Sequence, residues 1–292
     1  MPPAGSLHVG LKPYPGYCLA RPIGSGGFGE VWEAQAPDGK STALKFLPCD
    51  DNQTAVREIR SLQEIRQLRH PNLIRIERIW CFQGYLVVAM ELADGNLLEL
   101  LEISQEQYRR PLGQEHTIAL LSQPAAALDF LNVRQHQING RRVSVQHCDV
   151  KPSNLLVFGD IVKLADFGLS SSLGCQRETH SRAGTLDYCA PEVFQGQLSD
   201  HTDQYALAVT YCLLRGGHFP FSDTPKSFKT RYIRPAPDLT MLSEPERPII
   251  GQALHPDPLA RWSSCGELMA RLARLVKGRK SGRLKRPQRF HA

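Results

Sequence analysis

The stretch Gly24-Ser25-Gly26-Gly27-Phe28-Gly29-Glu30-Val31 constrains this chain more than any other. Glycines at GxGxxG spacing remove the Cβ atoms that would keep a backbone away from an anion, and they offer its N–H groups instead. Alone, such a turn reads equally as a phosphate loop or a plain hairpin. A dinucleotide-binding fold requires a helix directly after the glycines. Here Glu30–Ala34 reads as a second strand, which argues against that fold. The next strand, residues 41–47, carries Lys45 between apolar neighbours. An unpaired buried ammonium is costly. Lys45 is therefore either an edge lysine with its head in water or a phosphate ligand held by a helix carboxylate.

Around this turn the chain divides into two blocks. Residues 1–16 form a Pro/Gly leader, and 17–93 read as strands with one helix. That helix, 51–69, shows apolar residues three apart at Val56, Ile59, Leu62, Ile65 and Leu68. His70-Pro71-Asn72 ends it, because proline restricts the preceding residue and lacks the N–H. Strands over 73–81 and 84–91 follow. Beyond the polar link Ala93–Asn96, helices dominate residues 94–276. The pattern predicts a helix over 115–132, bent at Pro124 or marked there by an irregular turn, and a central buried helix over 203–214. Short β segments occupy 143–150, 154–160 and 161–167, and an amphipathic helix covers 263–277. The fold class is α+β, with two lobes: a small, mainly β N-lobe with one helix and a larger, mainly α C-lobe.

The formal charge of +6 is unevenly placed. Residues 277–292 hold seven basic and no acidic residues, which leaves the other 276 at −1. The fold is near neutral, so no nucleic-acid partner is expected, and the basic segment reads as a flexible tail able to touch an acidic surface. Eight cysteines lie at least fourteen residues apart, with no CxxC pair, which fits free thiols in a reducing cytoplasm. No run of 18 apolar residues suggests a membrane span, and the first residues lack the pattern of a secretory signal.

The polar constellation lies further on. His147-Cys148-Asp149-Val150-Lys151-Pro152-Ser153-Asn154 precedes Asp166-Phe167-Gly168 by twelve residues. Asp149, Asn154 and Asp166 supply hard oxygens of the kind Mg²⁺ prefers, with phosphates and water completing its shell.

These motifs, in this order over residues 17–276, resemble eukaryotic-type Ser/Thr protein kinases, and the wording around LQEIRQLRHPNL and VQHCDVKPSNLLV resembles bacterial members. The resemblance implies Mg-dependent transfer of the ATP γ-phosphoryl group to serine or threonine hydroxyls of a protein substrate, with Mn²⁺ as a substitute metal. Gly24, Ser25, Gly26, Gly27, Phe28 and Gly29 would cover the phosphates, and Lys45 would contact them. Val31, Ala43, Leu156 and Met90 would enclose adenine, with Glu91 to Ala93 as the hinge. Asp149 would accept the hydroxyl proton, Lys151 would stabilise the transferring group, and Asn154 and Asp166 would hold the metal. Thr185 would bond near Asp149 and Lys151 within the substrate-docking segment 184–192. Glu192 would pair with Arg261, and Asp203 would cap the catalytic-loop backbone. His147 reads as a packing residue.

Two departures stand out. The lysine's helix partner falls at Glu58 or, as second choice, Glu64, because Ser61 occupies the family's usual position. Cys148 stands where the family has an arginine that binds an activation-loop phosphate, so loop phosphorylation should not be strictly required. Thr179 and Ser181 rank above Thr185 as autophosphorylation sites. The alternatives are a pseudokinase scaffold that binds nucleotide or a partner protein without transfer, and a small-molecule kinase.

Overall fold

A computed structural model describes residues 6–26, 29–49, 63, 66–133, 135–138, 141–166, 186–223 and 233–282. The helix expected over 51–69 falls largely outside these residues, and so do Gly27, Phe28, Glu58, Glu64, Phe167 and Thr185.

Five antiparallel strands form the first sheet: β1 (Cys18–Gly26), β2 (Gly29–Gln35), β3 (Ser41–Pro48), β4 (Ile76–Phe82) and β5 (Tyr85–Glu91), in the order β1-β2-β3-β5-β4. The β4–β5 hairpin closes on Gln83 and Gly84, with φ of 46° and 78°, the left-handed pair a two-residue loop needs. Side chains alternate across the sheet. Leu44 and Phe46 point to one face with Leu19, Trp32, Ala34, Val87 and Ala89. Burying each large side chain is worth about 1.5–3 kcal/mol. Ala43 and Lys45 point to the other face, where Lys45 lies opposite both Val31 and Val88, and Ala43 opposite Met90.

Residues 6–16 lie against this lobe. Leu19 N–H donates to Leu11 O at 2.9 Å, and Trp80 Nε1 donates to Pro13 O at 3.0 Å. Tyr14 and Tyr17 pack on the Trp80 ring at 5.2 and 5.4 Å.

The larger lobe starts at β6 (Gly95–Asn96), where Asn96 and Glu99 form a reciprocal capping box for α1 (Leu97–Tyr108). Helix α2 (Gln114–Asn132) runs unbroken through Pro124, which is buried. After the β7 (His136–Ile138) and β8 (Arg141–Val143) hairpin, strands β9 (Leu155–Phe158) and β10 (Ile161–Leu164) join β6 in a small sheet ordered β10-β9-β6. Residues 144–150, expected to be β, form an extended loop. Helix α3 (Thr202–Gly216) is buried from Thr202 to Leu214, as a helix at the centre of a core must be. Helices α4 (Arg247–Ala253) and α5 (Cys265–Gly282) complete the lobe. Helix α5 extends five residues past its expected end, into the basic segment. Its start is capped from α2, where Asp129 accepts from Cys265 N and Gly266 N at 2.8 Å each.

The lobes meet at two seams. Ile74 N donates to Leu164 O at 2.9 Å and Leu164 N to Asn72 O at 2.8 Å, while Asp94 N donates to Val157 O at 2.9 Å in the linker. Among the described residues, no helix is long and apolar enough to cross a membrane.

Candidate active site

The cleft between the lobes gathers residues from four short segments. Gly29 ends the glycine turn with φ of 119°, and a Cβ there would lie 1.8 Å from Phe46 O, so no other residue fits. Gly24 has room for a side chain, with Val31 its nearest neighbour at 4.0 Å. Lys45 projects from β3 and forms an ion pair with Asp166 just past β10. Burial alone would raise the Asp166 carboxyl, but the Lys45 ammonium reverses this and holds it below the usual carboxylate range. Asp166 is therefore ionised at neutral pH.

The loop 147–154 folds around its own polar groups. Asn154 Nδ2 donates to both Asp149 O and Asp149 Oδ2 at 2.9 Å, and Lys151 Nζ lies 3.1 Å from the same Oδ2. Lys151 and Asn154 are tied by Asn154 N to Lys151 O at 3.0 Å, and Ala165 N donates to Asn154 O at 2.9 Å, which links the loop to Asp166. His147 is fully buried: its Nε2 meets Ala165 O at 2.9 Å and its Nδ1 meets Asp149 N at 3.3 Å. A carbonyl accepts and an amide N–H donates, so Nε2 is the ring's donor to Ala165 O and Nδ1 faces the Asp149 N–H. His147 packs and orients, as expected.

The loop's base rests on α3. Asp203 Oδ2 and Oδ1 accept from His147 N at 2.7 Å and Cys148 N at 2.8 Å. Burial pushes the Asp203 carboxyl up against the opposing pull of these donors. Cys148 and Asp166 both adopt left-handed backbone, at φ of 63° and 73°. For residues other than glycine this costs of order 1 kcal/mol each. Two of the four such non-glycine residues among those described thus sit in the cleft.

Val31, Ala43, Met90 and Leu156 come from β2, β3, β5 and β9, and Ala43 and Met90 are directly paired. Thr42 Oγ1 donates to Met90 O at 2.7 Å. The Glu91 side chain turns to the opposite side of the linker. It accepts from Lys163 Nζ at 2.7 and 2.6 Å and from Arg75 N at 2.8 Å. Sequence reasoning did not single out Lys163. A lysine on a short strand carries no local signal of a partner 72 residues away.

At the other end of the cleft, Tyr188, Cys189 and Ala190 line one small pocket with Cys148, Asp149 and Val150. Burial raises the Tyr188 phenol, and the Asp187 and Asp149 carboxylates raise it further. Glu192 and Arg261 form a buried bidentate pair, at 2.8 Å (Nη1–Oε1) and 2.7 Å (Nη2–Oε2). Arg234 was also unforeseen: its Nη2 reaches the carbonyl oxygens of Leu186, Asp187 and Cys189 at 2.6, 2.8 and 3.0 Å.

The donor set suits Mg²⁺. With the amide nitrogen of Asn154 committed to Asp149, its carbonyl oxygen and the ionised Asp166 carboxylate are the hard oxygens the site offers.

A five-stranded sheet carrying Lys45, an ion pair from it to Asp166 in a second, mainly helical lobe, and a loop closed by Asn154 on Asp149 together define a kinase-like fold. The chain belongs to the protein kinase family: the family model for the protein kinase domain matches residues 17–272. Among curated proteins it is 30% identical over 262 residues to CBL-interacting protein kinase 4 of rice, covering 84% of this chain and 54% of that one. It is 28% identical over 283 residues to serine/threonine-protein kinase PknF of Mycobacterium tuberculosis, covering 91% and 57%. It is 31% identical over 275 residues to serine/threonine-protein kinase PknJ of Mycobacterium bovis, covering 87% and 44%. The chain thus spans about half the length of these relatives. Membership implies dependence on ATP and a divalent metal in general terms.

Proposed function

We propose that this chain is an active serine/threonine protein kinase, acting in the cytoplasm on protein substrates and on itself. The observation that carries this reading is the Lys45–Asp166 ion pair across the two lobes, with Asn154 bonded to Asp149 on one side and to Ala165, the neighbour of Asp166, on the other. In this reading residues 17–93 and 94–276 are the two lobes that clasp ATP, and 277–292 is a basic appendage to them.

The backbone of the segment Gly24, Ser25, Gly26, Gly27, Phe28 and Gly29 covers the phosphates, and Lys45 exchanges its Asp166 partner for phosphate oxygens. Val31, Ala43, Met90 and Leu156 enclose adenine, while backbone groups of Glu91 and Ala93 read its edge. Asn154 and Asp166 hold Mg²⁺, which supplies charge neutralisation on the phosphates when bound. Asp149 orients the substrate hydroxyl and takes its proton as the oxygen–phosphorus bond forms. The bond from the γ phosphorus to the β,γ-bridging oxygen breaks, and ADP leaves with that oxygen. Lys151 offsets charge on the transferring group, and Thr185 steadies Asp149 and Lys151 from the docking segment. Glu58 is the helix carboxylate assigned to Lys45. The chemistry is mostly positioning, as phosphoryl transfer requires.

The test is transfer of labelled γ-phosphate from ATP to myelin basic protein by wild type, Asp149→Ala and Asp166→Asn. Transfer by wild type alone supports the reading. Nucleotide binding without transfer by wild type replaces it with the scaffold.

A further inference from the structure

We infer that Arg234 is the positioning residue for protein substrate, holding the docking segment in its working turn with a fixed charge where no loop phosphate is needed. This rests on the kinase reading for the segment's role, while the contact itself is geometric. Residues 186–189 form a tight turn (Leu186–Tyr188 is 3₁₀) in which Cys189 N donates to Leu186 O at 3.2 Å. That turn aims three carbonyl oxygens at one point. Arg234 Nη2 fills the point, within 2.6 to 3.0 Å of all three. One terminal nitrogen has two protons, so one proton is shared between two carbonyls.

Arg234 is itself held. Its guanidinium lies 4.7 Å from the Phe221 ring centroid and 5.9 Å from that of Phe194. Phe219, two residues before Phe221, packs edge-on against Tyr188 at 5.1 Å. The segment after α3 therefore grips the turn through a cation and an aromatic ring at once. On its other side the turn shares a pocket with Cys148 and Asp149. A displaced turn would shift the floor on which a substrate backbone lies against Asp149, leaving the nucleotide end of the cleft alone.

The charge of an arginine is permanent, unlike that of a phosphorylated loop. At position 148, where a family arginine would bind loop phosphate, this chain has a cysteine whose backbone N is fixed by Asp203. The ordering charge has moved to the far side of the docking segment.

The experiment compares wild type, Arg234→Ala and Arg234→Lys in the full chain, each treated with phosphatase. Steady-state kinetics use myelin basic protein and ATP, and hydrogen exchange is followed at residues 186–190 and 147–154. The alanine variant should raise KM for myelin basic protein about tenfold or more while KM for ATP stays within about twofold. Exchange should rise at 186–190 and not at 147–154. Lysine keeps the charge without the planar fork and should fall between the two. An unchanged protein-substrate KM, parallel rises in both KM values, or opening that spreads through 147–154 overturns the inference. If wild type transfers nothing, the kinase reading fails, and the exchange arm still decides whether Arg234 holds the turn.

Discussion

Lys45 and Asp166 stand 121 residues apart in the chain and form an ion pair that joins the sheet of one lobe to the end of β10 in the other. Each answers the other's problem: a lysine among apolar strand residues needs an anion, and burial, which would raise the Asp166 carboxyl, is offset by the lysine's charge.

This pairing sets a pH dependence. The folded-state pKa of Asp166 is depressed, so its contribution is present above the unfolded value of about 3.9 and is lost as pH falls through the folded value. In Lys45→Met the carboxyl loses the strongest of the charges that lower it, is left with His147 and Lys151 against burial, and shifts upward. Urea midpoints of wild type and Lys45→Met should therefore differ most near pH 7 and converge as the pH falls through and below the ordinary carboxylate range. A gap independent of pH would show that Asp166 does not depend on Lys45.

Asp149 carries the proton in the proposed mechanism, and Asn154 and Lys151 fix its carboxylate. Asparagine preserves the shape and removes the base. Asp149→Asn should lower kcat by about 10²–10⁴-fold, the usual contribution of a positioned general base. Nucleotide affinity, measured by displacement of a fluorescent ATP analogue, should stay within about twofold. Equal loss of affinity and rate would move Asp149 from the chemistry to the binding of ATP.

Lys163 tethers the linker from behind, with both Glu91 oxygens within 2.7 Å and the Phe158 ring centroid 4.8 Å from its ammonium. If Glu91 and Ala93 read adenine, losing the tether loosens that edge without touching the phosphates. Lys163→Met should raise KM for ATP about three- to tenfold and change kcat little. Lys163→Arg should recover most of the loss. A fall in kcat at constant KM would place the effect elsewhere.

The sequence motifs are legible where a few neighbouring residues determine their own geometry. Asp149 and Asn154 lie five residues apart and hydrogen-bond directly, so the motif and the site are nearly the same object. Arg261 and Glu192 were legible only through the family pattern. Arg234 and Lys163 were not legible at all: each is an ordinary cation until the fold brings partners from 45 to 72 residues away. Residues 6–16 read as a leader because Leu7, Leu11 and Tyr14 follow no strand or helix period, yet all three pack on the first lobe. At Pro124 the helix assignment continues without an irregular turn, with α2 packed against α3 and α5. The extension of α5 to Gly282 has no apolar stripe to announce it.

Cys148 predicts independence from loop phosphate. Its backbone N is fixed by Asp203 at 2.8 Å, and a thiol cannot make the bidentate contact of a guanidinium. Replacing Ser170, Ser171, Ser172, Thr179 and Ser181 together by alanine should leave the transfer rate within about threefold, whereas a phosphate-gated loop loses orders of magnitude. Total loss of transfer with an unchanged melting temperature would refute this.

The Glu192–Arg261 pair separates stability from chemistry. Both side chains are almost fully buried, at 6% and 0% exposure. Glu192 Oε1 also accepts from Thr202 Oγ1 at 2.9 Å, at the start of α3, and Arg261 Nη1 donates to His201 O at 3.0 Å. Removing one partner leaves a charge stranded in the core, which costs about 3–5 kcal/mol. Replacing both with apolar groups of similar volume removes both desolvation penalties together. Arg261→Met alone should thus lower the free energy of urea unfolding by about 3–5 kcal/mol, and Glu192→Met with Arg261→Met should recover more than half of that loss. Because Glu192 follows the docking turn by only three residues, the double variant should still show a raised KM for protein substrate at restored stability. If stability and KM recover together, the pair serves the fold alone. If stability does not recover, the hydrogen bonds to Thr202 and His201 outweigh the ion pair in holding α3 to this segment.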